Sequence, residues 1–107
     1  MAIDGDDGWG LLGDPTRRMI FEMVARRPSS VQELADLLPV SRPAVSHHLR
    51  VLREGGLVVS AAEGTRRIHR LNPDGVAALR SWLDGVWNEA LTGFQKAAEA
   101  DPEQEST

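Results

Sequence analysis

The chain has 107 residues, of which 41% are hydrophobic and 26% charged, with no Cys and a formal net charge of -4. One domain of ordinary globular composition fits these figures, and the lack of cysteine excludes disulfides, thiolate metal sites and a cysteine nucleophile. No apolar run approaches the ~20 residues of a membrane span, and the acidic start MAIDGDDGWG lacks the basic and apolar regions of a secretory signal, so a cytoplasmic location is expected.

The helix punctuation is clear. A weak first helix is predicted before Gly13, around Trp9, Leu11 and Leu12. Asp14-Pro15 then reads as an N-cap followed by Pro at the first helical position, where its missing N–H costs nothing. Met19, Ile20, Met23 and Val24 recur at helical spacing up to a stop at Pro28. Ser30-Val31-Gln32-Glu33 has the capping-box form and opens a short helix, 31–38, with Leu34, Leu37 and Leu38 as its apolar side. Pro39 ends it, Ser41 caps the next helix, 42–55, and Gly55-Gly56 stops that one. Residues 57–62 and 65–71, LVVSAA and TRRIHRL, flank Glu63-Gly64 and predict a β-hairpin. Ile68 and Leu71 cannot share a face of a regular strand, so a bulge or an early strand end is expected there. Asn72-Pro73 repeats the cap-plus-Pro device and opens a long helix to about Ala98. The predicted fold is mainly α with a β-hairpin, in the order α-α-α-α-β-β-α. Residues 1–8 are expected to form a flexible acidic segment, 9–98 the folded domain, and 99–107 an acidic, disordered tail.

Charge is concentrated. Residues 41–72 hold six Arg against Glu54 and Glu63, a balance of +4, whereas residues 84–107 carry six acids against Lys96, a balance of -5. An acidic chain with one basic segment points to an anionic partner met by that segment. Eleven of the twelve bases are Arg, which suits bidentate contacts to phosphate or guanine edges.

The short linker between helices 31–38 and 42–55 has the length of a helix-turn-helix connection. At ~100° per residue, Val45, Leu49 and Leu52 fall within about 60° of each other on the second helix. Pro43, Ser46, His47 and Arg50 fall on the opposite face, with Arg42 and Arg53 at its margin. Such a face suits the major groove of double-stranded DNA, and Arg66 and Arg67 beyond the hairpin tip are placed like a wing that touches the flanking backbone.

VSRPAVSHHLRVLREGGLV followed by EGTRRIHRL resembles the winged helix-turn-helix core of the ArsR family of bacterial repressors, and LGDPTRRMIFEMV is similar to that family's opening segment. The resemblance covers roughly residues 9–97. It implies a homodimeric repressor, DNA-reading positions at Ser41, Arg42, Ser46, His47 and Arg50, and wing positions at Arg66 and Arg67. The family's thiophilic-metal sensors carry cysteines on the helix matched here by residues 33–38, and others use Asp and His pairs on the last helix. This chain has neither cysteine nor a His within 73–98, so no metal and no cofactor is expected.

Other readings are weaker. His47 and His48 point ~100° apart and cannot easily share one ion. His47 is expected to meet DNA, His48 to pack hydrogen-bonded beside the core, and His69 to fill an aromatic-like place on the hairpin. Ser46-His47 does not make a nucleophile–base pair, because neighbouring helical side chains diverge, and no phosphate-binding or nucleophile-elbow motif is present, so the chain is not expected to be an enzyme. A winged helix that binds only proteins is the alternative, opposed by the arginines of 41–72. On the last helix Leu79, Trp82, Leu83, Val86, Trp87, Ala90, Leu91 and Phe94 span about half the circumference, wider than the ~100° stripe of one packing face. A second copy is expected to cover Trp9, Leu12, Leu79, Leu83, Val86, Trp87, Ala90 and Leu91. If an inducer exists, a small apolar effector entering the interface at Trp82 and Trp87 is the preferred candidate; the alternative is no ligand, with control by protein level alone.

Overall fold

Side-chain caps set the starts of the helices, as their sequences require. The computed structural model describes residues 5–100, and side chains from residue 8 onward. After α1 (Gly5–Leu11), helix α2 (Pro15–Arg26) begins at Asp14, whose carboxylate accepts from the Arg17 N–H at 2.9 Å. Helix α3 (Val31–Leu37) carries the full capping box: Ser30 Oγ accepts from Glu33 N–H, and Glu33 Oε1 accepts from Ser30 N–H at 3.1 Å. Ser41 Oγ accepts from Ala44 N–H to open α4 (Arg42–Glu54). Each cap satisfies a backbone donor that the first turn would otherwise leave unpaired.

The end of α4 is built as specifically. Gly56 adopts a left-handed φ of 83°, Leu57 N–H bonds Leu52 O, and Gly56 N–H bonds Arg53 O. This is a Schellman stop, and the buried pair Leu52 and Leu57 supplies the apolar contact that accompanies it. The chain leaves it as β1 (Val58–Glu63), turns through Gly64-Thr65, and returns as β2 (Arg66–Leu71). A φ of +65° at Gly64 fits the first central position of a two-residue hairpin turn. Asn72 then caps α5 (Pro73–Ala100) by accepting from Asp74 N–H, while its amide donates to Gly56 O at 2.8 Å. One side chain thereby fastens the last helix to the Schellman turn.

The apolar stripes of α2, α3 and α4 meet in one core of Leu12, Ile20, Val24, Leu34, Val45, Leu49, Leu52, Leu57 and Val58. Helix α5 packs against α1 near its start: Gly8 lies beside Leu79 and Leu57, and Trp9 meets Trp82 edge-on with ring centroids 5.9 Å apart. The rest of α5 runs free. Its 28 residues extend ~42 Å, and the radius of gyration is 19.1 Å, against about 13 Å for a compact chain of this size.

Several expectations are corrected. The hairpin has neither bulge nor early end; its register runs unbroken from Val58↔Leu71 to Glu63↔Arg66. Ile68 and Leu71 do point to opposite faces, but both faces are covered. Ser29, in the α2–α3 connection, bridges to His69 and adds a one-residue third strand beside β2. Leu12 is only 7% exposed and belongs to the chain's own core, so it is withdrawn from the partner-facing set. Helix α1 starts inside the segment expected to be flexible, and α5 passes Ala98 by two residues. The expectations for residues 1–4 and 101–107 lie outside the described residues.

Candidate nucleic-acid interface

Helices α3 and α4 are joined by residues 38–41, and the buried face of α4 (Val45, Leu49, Leu52) fixes which face is left to solvent. That face presents Ser46, His47, Arg50 and Arg53, all exposed. With Pro43 and the wing's Arg67 these residues line a cleft of ≈ 480 Å³ between α4 and the hairpin. Ser41 and Arg42, at the start of α4, are also exposed; the Ser41 hydroxyl is occupied as acceptor by the cap and keeps its own O–H to donate. Arg53 is the residue that the helical wheel leaves at the margin. Its spacing of seven from Ser46 and three from Arg50 is the signal that could have placed it in the cleft.

Arg50 is pre-oriented. Its Nη2 lies 3.2 Å from His47 Nδ1, and a guanidinium can only donate, so Nδ1 accepts and His47 carries its proton on Nε2. The Nε2–H is then available as a donor. His48 packs between α4 and the start of α2 as expected, but its Nδ1 is buried without a hydrogen-bond partner among the described residues, so the expected bond is not made there. Burial pushes its pKa down, opposed by Asp14 and reinforced by Arg17.

His69 is 3% exposed and holds the Ser29 bridge from two sides: its backbone N–H donates to Ser29 O at 2.8 Å, and Nδ1 lies 3.3 Å from the same oxygen. Burial lowers its pKa, partly offset by that bond. A lowered pKa means the unfolded chain binds the proton more readily, so stability is complete above the unfolded value of about 6.5 and falls as pH drops below it. The urea midpoint is therefore expected to be lower at pH 5 than at pH 7.5, with the difference reduced in His69→Gln; an equal midpoint at both pH values contradicts this.

The two faces of the wing differ. Arg66, Ile68 and Arg70 share one face, Arg67 and His69 the other. Arg66 is ion-paired with Glu33 of α3, and Arg70 with Glu63 at 3.3 Å. Arg67 donates instead to Ser60 Oγ at 3.1 Å, and among the described residues it meets no carboxylate. In sequence Arg66 and Arg67 look alike; the structure separates them.

On α1 and α5, Trp9, Leu83, Val86, Trp87, Leu91 and Phe94 stand exposed, Trp87 at 62% and Phe94 at 75%. Leu79 is half-buried against the core and Ala90 is exposed. Trp82 and Trp87 are five residues apart, about 140° around the helix, so one protomer does not bring them together as walls of a single effector site. Among the described residues no cluster of three potential metal ligands occurs, and no helix is long and apolar enough to cross a membrane.

A short capped helix, a four-residue turn, an arginine-bearing helix and a hairpin wing define a winged helix-turn-helix DNA-binding protein. Comparisons agree. A family model described as a helix-turn-helix domain matches residues 12–61. The HTH-type transcriptional regulator Rv2034 of Mycobacterium tuberculosis is 50% identical over 96 residues, 90% of this chain and 90% of its own. Among solved structures, an ArsR-like transcriptional regulator from Rhodococcus sp. RHA1 is similar at a TM-score of 0.72 and 29% identity, covering 88% of this chain and 92% of that one. The homodimeric winged helix-turn-helix domain of Mb0332 from Mycobacterium bovis is similar at 0.63 and 27%, covering 78% of each. The chain belongs to the ArsR family of winged helix-turn-helix transcriptional regulators. These relatives are regulators, not enzymes, and none supports the reading as a winged helix without DNA binding.

Proposed function

We propose that the protein is a repressor that acts as a homodimer on an inverted-repeat operator, with the α4 helices of the two protomers entering successive major grooves about 34 Å apart. The observation that carries this reading is the uncovered apolar strip of α5, from Leu83 to Phe94, in a chain similar to a homodimeric domain. Dimerisation supplies the second recognition helix that a palindromic site needs. Within each half-site, Ser46, His47, Arg50 and Arg53 read base edges, Ser41 and Arg42 hold phosphate at the start of α4, and Arg67 meets the flanking backbone. Operator occupancy blocks transcription by excluding polymerase, and such a role places the protein with the DNA in the cytoplasm.

The assignment of roles is tested by titrating variants against matched and mismatched duplexes at several salt concentrations. Arg50→Ala and Ser46→Ala are expected to lose about 1–3 kcal/mol on the preferred site and to relax its sequence preference. Arg67→Ala is expected to weaken all sequences alike and to reduce the salt slope by about 0.9 for each phosphate it no longer neutralises. The reverse pattern would overturn the roles.

A further inference from the structure

We infer that Arg66 is not a DNA contact but a positioning residue, bracing the wing against the helix-turn-helix through Glu33. The inference rests on the operator-binding reading above and begins from the wing's asymmetry. Glu33 is fixed before Arg66 reaches it. Its carboxylate closes the α3 capping box by accepting from Ser30 N–H, and both Ser30 and Glu33 are at least partly buried. A surface ion pair normally gains little because two long side chains must be ordered together. Here one partner is already held, so only the arginine is ordered.

The brace spans a useful distance in the chain. Arg66 is the first residue after the Gly64-Thr65 turn, and Glu33 lies 33 residues earlier on the helix that precedes the recognition helix. Elsewhere among the described residues the hairpin is held farther from its tip, by the Ser29–His69 bridge, by Asn72 N–H bonding Leu57 O, and by the burial of Val58 and Ile68. From Ala61 to Arg66 every residue is exposed, so nothing apolar holds the tip. The Arg66–Glu33 pair is the contact that sets its angle relative to α3 and α4. Arg67, on the other strand face, is thereby aimed at the α4 cleft, where it lies with Arg50 and Arg53. Arg66 works on DNA through the orientation of Arg67.

The competing role is that Arg66 leaves Glu33 for a phosphate when DNA arrives. The two roles predict opposite signs at Glu33. If Arg66 is a brace, removing the Glu33 charge loosens the wing and weakens binding. If Arg66 is a phosphate contact, the same change removes a competitor and a negative charge, and binding tightens. Glu33→Gln suits the test because glutamine also completes a capping box, which keeps α3 capped.

The probe is the duplex that the wild-type protein enriches from a random-sequence pool, titrated over a range of salt with wild type, Glu33→Gln, Arg66→Ala and the double variant. Each single variant is expected to lose about two- to five-fold in affinity per wing, the span of an ordered surface pair. The double variant should be no worse than either single one, and the salt slope should stay at the wild-type value. In the free protein, amide relaxation at Gly64 and Thr65 should show a more mobile tip in both single variants. Tighter binding by Glu33→Gln, or a slope reduced by about 0.9 per phosphate in Arg66→Ala, would make Arg66 a phosphate contact and overturn the brace. Unchanged tip mobility in both variants would overturn it without DNA. A wild-type protein that enriches no duplex counts against operator binding, and the relaxation measurement still decides the brace.

Discussion

Trp87→Glu is expected to give a folded monomer that binds operator DNA at least 100-fold more weakly than the wild-type chain. Trp87 is 62% exposed in the single protomer, so the substitution removes no intrachain core contact, and the circular dichroism of the variant should match the wild type. In the proposed dimer, formed through α5 and α1, the same position is expected to be buried. An unpaired carboxylate in an apolar interface costs several kcal/mol, and two-fold symmetry places one on each protomer. The loss of DNA affinity follows because two linked recognition helices gain 10²–10⁴ over one by effective concentration, and a monomer forfeits that gain. Sedimentation equilibrium at tens of micromolar checks the first part: twice the chain mass of 11.7 kDa for wild type and a single mass for the variant. A wild-type chain that sediments as a monomer contradicts it.

Gly75→Ala is expected to be the most damaging single-methyl change in the chain. A Cβ at Gly75 would stand 2.0 Å from Gly56 O and 2.9 Å from Gly56 C, both backbone atoms of the Schellman turn, so neither can rotate away. Gly56 cannot yield easily either, because its φ of 83° ends α4 and its carbonyl accepts from Asn72. The close approach of α5 to this turn sets the angle at which α5 departs from α4. Overpacking against backbone costs about 3 kcal/mol or more, a large part of a small domain's stability. Gly85→Ala, on the side of α5 away from the apolar strip, is the control. Nothing lies within 4 Å of its added methyl, and the exchange should stabilise α5 by roughly 0.5–1 kcal/mol. Urea midpoints that move alike for both variants would contradict this account of the α4–α5 junction.

Much of this architecture is legible in the sequence because local chemistry decides it. Asp14, Ser30 and Ser41 each offer a side-chain oxygen to a helix start, and each is used so. The apolar spacing of Val45, Leu49 and Leu52 fixes by subtraction the face of α4 left for DNA. Contacts distant in sequence are not legible in this way. Ser29 covers the edge of β2 from forty residues away, beside His69. Arg66 and Arg67 are alike in type and adjacent in sequence, and only the position of Glu33 across the fold separates them. Leu12 reads as part of the interface stripe until the turn after α1 folds it into the core. Arg53 lies within reach of the periodicity argument once the recognition face is followed one turn further.

Selection from a random duplex pool with the purified full chain at near-physiological salt decides whether paired α4 helices bind DNA sequence-specifically. The pool is expected to be enriched in an inverted repeat whose half-sites are about 34 Å, one helical turn, apart. Arg50→Ala should lose preference at a symmetric pair of base positions within it. Enrichment of no sequence, with binding that depends only on salt, would rule out sequence-specific operator binding.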